Sequence, residues 1–336
     1  MSRSFITLAA LSIAVATPFI SLQAQAVQRT HVSAAFGSDA NTATNCAAAA
    51  PCRFFTAAMT VTNPNGEVIV LDSGGYGAVT ITQSVALIAP TGVYAGISVF
   101  PGADGVTIAT PGVNVVLRGL SINGQGGNNG INMTAGNRLT VENCVISNLT
   151  QNGISVNTAA TVRVTDSIVR DNGAIGISLL NGVKATITRA VVSGHANPGI
   201  YLYGNTPSTS TVDIADSTVD GNSFGIYAQS TVSTAILKLS VRDSRIVRNS
   251  NFGLLAVSYA GGAASLTASN NMVSNNAYGL FALNAGAKII STGNTVTGNI
   301  YAGFYNNSAV FVSAGNNTVY DNGSTNVGTI TVIATQ

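Results

Sequence analysis

The chain has 336 residues, with 14 basic and 12 acidic side chains, so its formal net charge is only +2 and charged residues make up 8% of it. Charge this sparse and scattered argues against a nucleic-acid partner, which wants a basic stripe for its phosphates, and against an anionic lipid surface. Hydrophobic residues reach 46%, yet beyond the amino terminus no run approaches the roughly 18 apolar residues that a membrane span needs.

Residues 1–26 read as a signal peptide. Arg3 supplies a positive start, Phe5 to Ile20 an apolar stretch, and Ala24-Gln25-Ala26 a small-x-small cleavage site. Removal of this segment predicts a secreted protein, periplasmic or extracellular, with no membrane span left. Residues 27–65 form an N-terminal cap segment. Within it Cys46 and Cys52 flank the short loop CAAAAPC and are expected to form a local disulfide in an oxidising compartment. The stretch PCRFFTAAMTV is the one predicted short helix, placed to cover the open end of the strands after it.

From residue 66 to 336 the chain repeats itself. Gly-Ile or a close variant begins at Gly130, Gly153, Gly176, Gly199, Gly225, Gly253, Gly279 and Gly303, at spacings of 23, 23, 23, 26, 28, 26 and 24 residues. A period of this size marks a stacked repeat. Inside each unit, segments such as TVRVTDS alternate apolar and polar residues with period two, and no ten-residue helical stretch intervenes. Three short strands per turn describe an all-β fold, a single-stranded right-handed parallel β-helix. The residue after each glycine, from Ile131 and Ile154 to Leu280 and Phe304, should stack inward as an aliphatic ladder. A second ladder of asparagines is expected at Asn172, Asn249, Asn275 and Asn299, with Asn222 and Asn148 one residue out of register. Asparagine suits it because it tolerates a left-handed turn and its amide can bond the next coil. Cys144, within the strand-like LTVENCVIS, reads as a small buried residue.

The entry HVSAAFGSDANTATNCAAAAPCRFFTAAMTV followed by GEVIVLDSGGYGAVTITQSVALIA resembles secreted bacterial right-handed β-helix repeat proteins of the pectin-lyase-like superfamily. Gly66, Gly74, Gly75, Tyr76 and Gly77 lie where such proteins start their first coils. The resemblance covers nearly all of the chain after residue 26. It implies the fold firmly and an activity weakly, because the scaffold carries lyases, hydrolases, esterases, epimerases and proteins without catalysis. The arginine pair of pectate lyases, the paired aspartates of polygalacturonases and the segments of pectin methylesterases are missing. No cofactor is implied. No metal site is expected either, since His31 and His195 are the only histidines and no paired Cys-x-x-Cys occurs.

Two arrangements are candidates for function. Counting back from the glycines puts Asp171, His195, Asp220 and Arg248 on four successive turns. With coils about 4.8 Å apart, Asp171 and Asp220 would sit roughly 10 Å from one another with His195 between them. That is close to the carboxylate separation of inverting glycoside hydrolysis, and it makes these three the candidate catalytic residues. The other arrangement lies two residues past the glycine, facing outward. Early coils carry Asn132, Ser155 and Ser178 there. Later coils carry Tyr201, Tyr227, Leu255, Phe281 and Tyr305. Aromatic faces on adjacent coils suit sugar rings, so Tyr201, Tyr227, Phe281 and Tyr305, with Arg248, are candidate substrate contacts. The coils lengthen beside this stripe, in YGNTPSTST, QSTVSTA and SYAGGAAS, and insertions on one face of a solenoid mark its binding face. Phe224, Phe252 and Tyr278, just before the glycine, are expected in the core. The sequence thus supports non-catalytic binding of a polysaccharide or cell-surface glycan through residues 199–305. The alternatives are a polysaccharide hydrolase or lyase, and a purely structural or adhesive protein.

Overall fold

The computed structural model describes residues 27–334; the predicted signal peptide lies outside the described residues. Every turn of the solenoid lays one strand on each of three parallel sheets. Sheet I has 13 strands, running from Val27–Val32 to Thr331–Ile333. Sheets II and III have 11 strands each, from Val79–Ile81 to Asn326–Val327 and from Gly74–Gly75 to Thr318–Tyr320. One coil shows the order: Ile154–Asn157 lies on sheet II, Thr161–Thr165 on sheet I and Ile168–Arg170 on sheet III, and the next coil repeats it 23 residues on. Alternation alone sorts the side chains. Ile154, Val156, Val162, Val164 and Val169 are buried, while Ser155, Arg163 and Arg170 point outward or lie part-exposed. The predicted ladder is present, with Ile131, Ile154, Ile177, Ile200, Ile226, Leu254, Leu280 and Phe304 each at most 2% exposed. Each such burial contributes about 1.5–3 kcal/mol before the entropy of ordering is counted.

Between sheets the chain turns on single residues in the left-handed region. One row of these is Asn148, Asp171, Gly194, Gly221, Arg248, Asn275, Gly298 and Asp321, all at φ between 52° and 73°. Asparagine, aspartate and glycine dominate because they tolerate this backbone at little cost. From Asp171 onward the residue after each forms the inner polar ladder, Asn172, His195, Asn222, Asn249, Asn276, Asn299 and Asn322, whereas apolar Leu149 follows Asn148. The ladder expected from spacing was therefore one residue out in places. Asn275 and Asn148 are outer turn residues, Asn276 takes the inner position, and Asn222 is in register. The turn before Gly225 and Gly279 is one residue shorter than its neighbours, so counting back from the glycine slips. A second polar ladder, which the spacing of the glycines does not reveal, follows sheet I. There Ser217 Oγ accepts from the Ala190 amide, Ser244 Oγ from Ser217, and Asn271 Oδ1 from Ser244. Cys144 sits at the head of this second ladder, 1% exposed, and burial pushes its thiol up to about 11, which keeps it in the unreactive protonated form.

The N-terminal segment does more than cap. Its first strand, Val27–Val32, pairs with Thr62–Val70 and forms the edge strand of sheet I. The short helix Phe55–Met59 falls within the predicted stretch and buries Phe55, Ala58 and Met59 against the first coil, with the Phe55 and Tyr76 rings 5.4 Å apart. A disulfide links Cys46 to Cys52. Asp72 ties this segment to the solenoid by accepting hydrogen bonds from Ser33 Oγ, the Ala34 and Ala35 amides and the Tyr76 hydroxyl. Burial raises the Asp72 pKa, but these donors outweigh it and hold the carboxyl down at about 2.

Candidate functional site: the outer face of sheet II

Strand pairing places Ser178, Tyr201, Tyr227, Leu255, Phe281 and Tyr305 in one row on the outside of sheet II. The insertions lie beside the row, and one of them brings the Tyr259 phenol near those of Tyr201 and Tyr227. The insertions are absorbed as longer strands: Ile131–Met133 and Ile154–Asn157 have 3 and 4 residues, whereas Pro198–Gly204, Phe224–Ser230 and Phe252–Ser258 have 7. The widened sheet gains a further outer row, with Tyr203, Gln229, Val257, Leu283 and Asn307 in register. Phe224, Phe252 and Tyr278 also lie on this outer face, half-buried, rather than in the core as expected. The cause is the glycine that follows each of them. A Cβ on Gly225 would lie 2.4 Å from the Gly253 carbonyl oxygen and 2.7 Å from Ile246 Cγ2. The glycine therefore faces inward against the next coil, together with the aliphatic residue after it, and the pleat turns the preceding aromatic outward.

Nine rings make one contiguous network across these rows, with neighbouring centroids 4.3–5.5 Å apart. Phe281 stacks on Tyr305 at 4.3 Å, meets Phe252 and Tyr278 edge-on and is 8% exposed. Tyr201, Tyr203, Tyr227 and Tyr305 remain part-exposed, and Tyr301 is 59% exposed at the margin. The Tyr201 hydroxyl donates to Gln229 Oε1. Burial, followed by the neighbouring phenols of Tyr227, Tyr203 and Tyr259, pushes the Tyr201 phenol well above the ordinary tyrosine value; burial likewise raises Tyr227. Both hydroxyls therefore stay protonated beside apolar ring faces. Tyr203 was discoverable from the sequence, since period two puts it on the same face as Tyr201. Phe224, Phe252 and Tyr278 were not, because two consecutive inward residues at the Gly-Ile step break the alternation.

The other four candidates from the sequence do not converge. Asp171 sits on the outer turn with its carboxylate 2.6 Å from Arg170 Nη1. Asp220 is the last residue of Thr218–Asp220, paired in register with Ser193 rather than with the turn glycine Gly194, and its Oδ2 accepts from Arg248. Each carboxylate is thus engaged by its own arginine, and Arg248 faces Asp220 rather than the aromatic rows. His195 is 3% exposed and points into the solenoid, not out between the two aspartates. Its Nδ1 accepts from the Asn172 amide at 3.2 Å, which places the ring proton on Nε2, 3.1 Å from the Val169 carbonyl. Neither ring nitrogen is left to carry a substrate proton in this arrangement.

The sequence matches the model of the right handed beta helix region over residues 56–213 and 104–263, more than half of the chain. The chain belongs to the right-handed β-helix family. No curated protein matches the sequence. Among solved structures the pectate lyase Pel9A shares the fold, with a TM-score of 0.64 at 16% identity over 89% of this chain and 80% of that one. Lower similarity extends to the mannuronan C-5 epimerase A-module of Azotobacter vinelandii, with a TM-score of 0.41 at 14% identity over 90% and 97% of the two chains. The catalytic domain of a GH87 α-1,3-glucanase has a TM-score of 0.38 at 13% identity over 96% and 70%. No helix among the described residues is long and apolar enough to cross a membrane.

Within this β-helix, His195 stands where its neighbours are asparagines and reproduces two of their bonds. Asn249, for example, accepts the Asn222 amide and donates to the Val219 carbonyl. The imidazole cannot supply the third, an acceptor for the side-chain amide of the preceding coil, because Nδ1 is already used. Asn172 Nδ2 accordingly has no partner among the described residues. Burial lowers the His195 pKa below 6.5, so the imidazole is neutral in the folded chain. The unfolded chain takes up a proton near 6.5 that the folded chain refuses. The stability tied to the neutral ring is therefore complete above pH 6.5 and is lost as pH falls through the depressed folded value. His195→Asn is expected to give Asn172 Nδ2 its acceptor, offsetting a penalty of about 1–3 kcal/mol. It should also flatten the fall in melting temperature just below pH 6.5. Thermal melts of both proteins between pH 5 and 8 check this, and an unchanged slope below pH 6.5 counts against it.

Proposed function

We propose that this protein is a secreted solenoid that binds a polysaccharide along the outer face of sheet II between residues 199 and 305, without catalysing its cleavage. The observation that carries this reading is the register-stacked aromatic network. Tyr201, Tyr203, Tyr227 and Tyr305 stay part-exposed along this face, the first three on two adjacent coils and Tyr305 three coils further on. Sugar rings expose apolar C–H surface flanked by hydroxyls, and a tyrosine meets both needs at once. The fold shared with a pectate lyase is consistent with a polysaccharide ligand, and the predicted signal peptide with a periplasmic or extracellular location. The carboxylate pair needed for hydrolysis gets less support, since Asp171 and Asp220 are occupied by arginines and His195 is enclosed.

A glycan array followed by affinity electrophoresis tests the reading. Tyr201→Leu combined with Tyr227→Leu keeps the packing that Leu255 already provides in the same row, while removing the ring faces. The pair is expected to weaken polysaccharide retention at least tenfold, about 1.4 kcal/mol. Retention unchanged by these substitutions would sink the proposal. Release of reducing ends or unsaturated products by the native protein would transfer the case to the enzymatic alternative.

A further inference from the structure

The charges that look scattered along the chain do not scatter in space. On the outer face of sheet I, strand pairing aligns Arg138, Thr161, Lys184, Thr211, Lys238, Ser265 and Lys288 in a single row. A cation stands on every second coil, with a hydroxyl side chain on each coil between. Arg163 adds a fifth cation one position along, in the row that continues through Thr186, Asp213, Ser240 and Thr267. All five cations are exposed, and among the described residues none has an ion-pair partner. Most of the other arginines are paired, as in Arg118–Glu142 and Arg189–Asp166. Two shallow depressions lie on the track. One, of about 330 Å³, has Arg138, Arg163, Thr140 and Thr186 among its walls; the other, of about 260 Å³, has Lys238, Asp213, Ser240 and Thr267. Asp213 is the one acid in these two rows, and it leaves the row of alternating cations intact.

We infer that the outer face of sheet I binds an extended acidic polysaccharide that carries one anionic group on alternate sugars. Coils repeat at about 4.8 Å, so cations on alternate coils lie about 10 Å apart along a straight line. An extended sugar residue spans roughly one coil, which sets a charge on every second sugar opposite each cation and a neutral sugar opposite each Thr or Ser. Duplex DNA presents a charge about every 1.7 Å, far denser than this row supplies. The row carries no aromatic side chain for stacking single-stranded bases. This surface lies on a different sheet from the aromatic network, so its fate and that of the proposed function are separable.

Lys184→Gln with Lys238→Gln tests it in the full-length protein, compared with Arg245→Gln, an exposed cation on sheet III outside the row. The side chains are exposed, and equal melting temperatures establish that the lysine variant folds. The probes are hyaluronate, charged on alternate sugars; polygalacturonate, charged on every sugar; uncharged dextran; and duplex DNA. Hyaluronate is expected to bind most tightly of the four and to weaken with added salt. The lysine pair should cost about tenfold in hyaluronate affinity while Arg245→Gln leaves it unchanged. Absence of hyaluronate binding, or hyaluronate binding indifferent to the lysines, overturns the inference. Tighter binding of polygalacturonate overturns the alternate-sugar assignment, and equal or tighter binding of DNA shows a charge attraction without saccharide selectivity.

Discussion

Asn249→Leu is expected to cost about 3–6 kcal/mol of folding stability, the largest of the single-residue effects expected for this chain. Asn249 is 1% exposed, and its side chain makes four hydrogen bonds to the two coils on either side of it. Its Oδ1 accepts the backbone and side-chain amides of Asn222, at 3.1 and 3.0 Å, and its Nδ2 donates to the Val219 carbonyl and to Asn276 Oδ1, at 3.4 and 2.9 Å. Leucine has the same number of side-chain heavy atoms branched at the same carbon and is the bulkier of the two, so no cavity explains the loss. What remains is a set of buried donors and acceptors without partners, each costing about 1–3 kcal/mol less whatever local relaxation recovers. Because a solenoid is held together by nearest-neighbour interfaces, the loss should spread to the coils on both sides and broaden the transition. Urea unfolding monitored by circular dichroism measures it. The paired control is Asn275→Gly, one residue from the inner ladder. Asn275 occupies a left-handed outer turn at φ 56° where Gly194, Gly221 and Gly298 already stand in the same row, so this exchange should stay within about 1 kcal/mol of the native protein. Equal costs at Asn249 and Asn275 would contradict this register.

Gly225→Ala is expected to cost about 3 kcal/mol or more, at the upper end of what overpacking exacts. The added methyl would meet the Gly253 carbonyl oxygen at 2.4 Å, Ile246 Cγ2 at 2.7 Å and Asn249 Nδ2 at 2.9 Å. Ile246 can adjust by rotating. The Gly253 carbonyl cannot, because it belongs to the backbone of the next coil, held at the strand spacing by parallel bonds on both sides. Gly221→Ala separates this from simple backbone strain. Gly221 has φ 66° but open space around the missing Cβ, so alanine there should cost only the left-handed penalty of about 1–2 kcal/mol. Thermal melts of the two variants decide the point, and a smaller loss at Gly225 than at Gly221 would sink it. The same close approach underlies the aromatic face: a side chain at Gly225 would displace the inward step that turns Phe224 outward.

Periodicity was the legible part of the fold because one local rule repeats in every coil. Period-two alternation and a recurrent Gly-Ile step name the strands, the inner aliphatic ladder and the outward row of Tyr201, Tyr227, Phe281 and Tyr305 without reference to any distant contact. The short helix over Phe55–Met59 was legible as well, within the stretch PCRFFTAAMTV. Register across turns was not. A turn one residue shorter before Gly225 and Gly279 moves Asn222 and Asn276 into the inner ladder and leaves Asn275 outside it, and no composition signal marks that deletion.

The chain's own residues determine that it coils, with which period, and which side chains face in or out along a regular strand, since these follow from backbone geometry and the pleat. Tertiary structure decides what stands beside what. Only stacking shows that Asp171 and Asp220 belong to different rows, that His195 fills an asparagine's place inside the solenoid, and that Phe224, Phe252 and Tyr278 join the outer aromatics. Only stacking, too, brings Arg138, Lys184, Lys238 and Lys288 from separate repeats into one line. The reason is that neighbours in a solenoid lie a full coil apart in sequence, so each relation depends on the summed lengths of three turns rather than on any residue near the site.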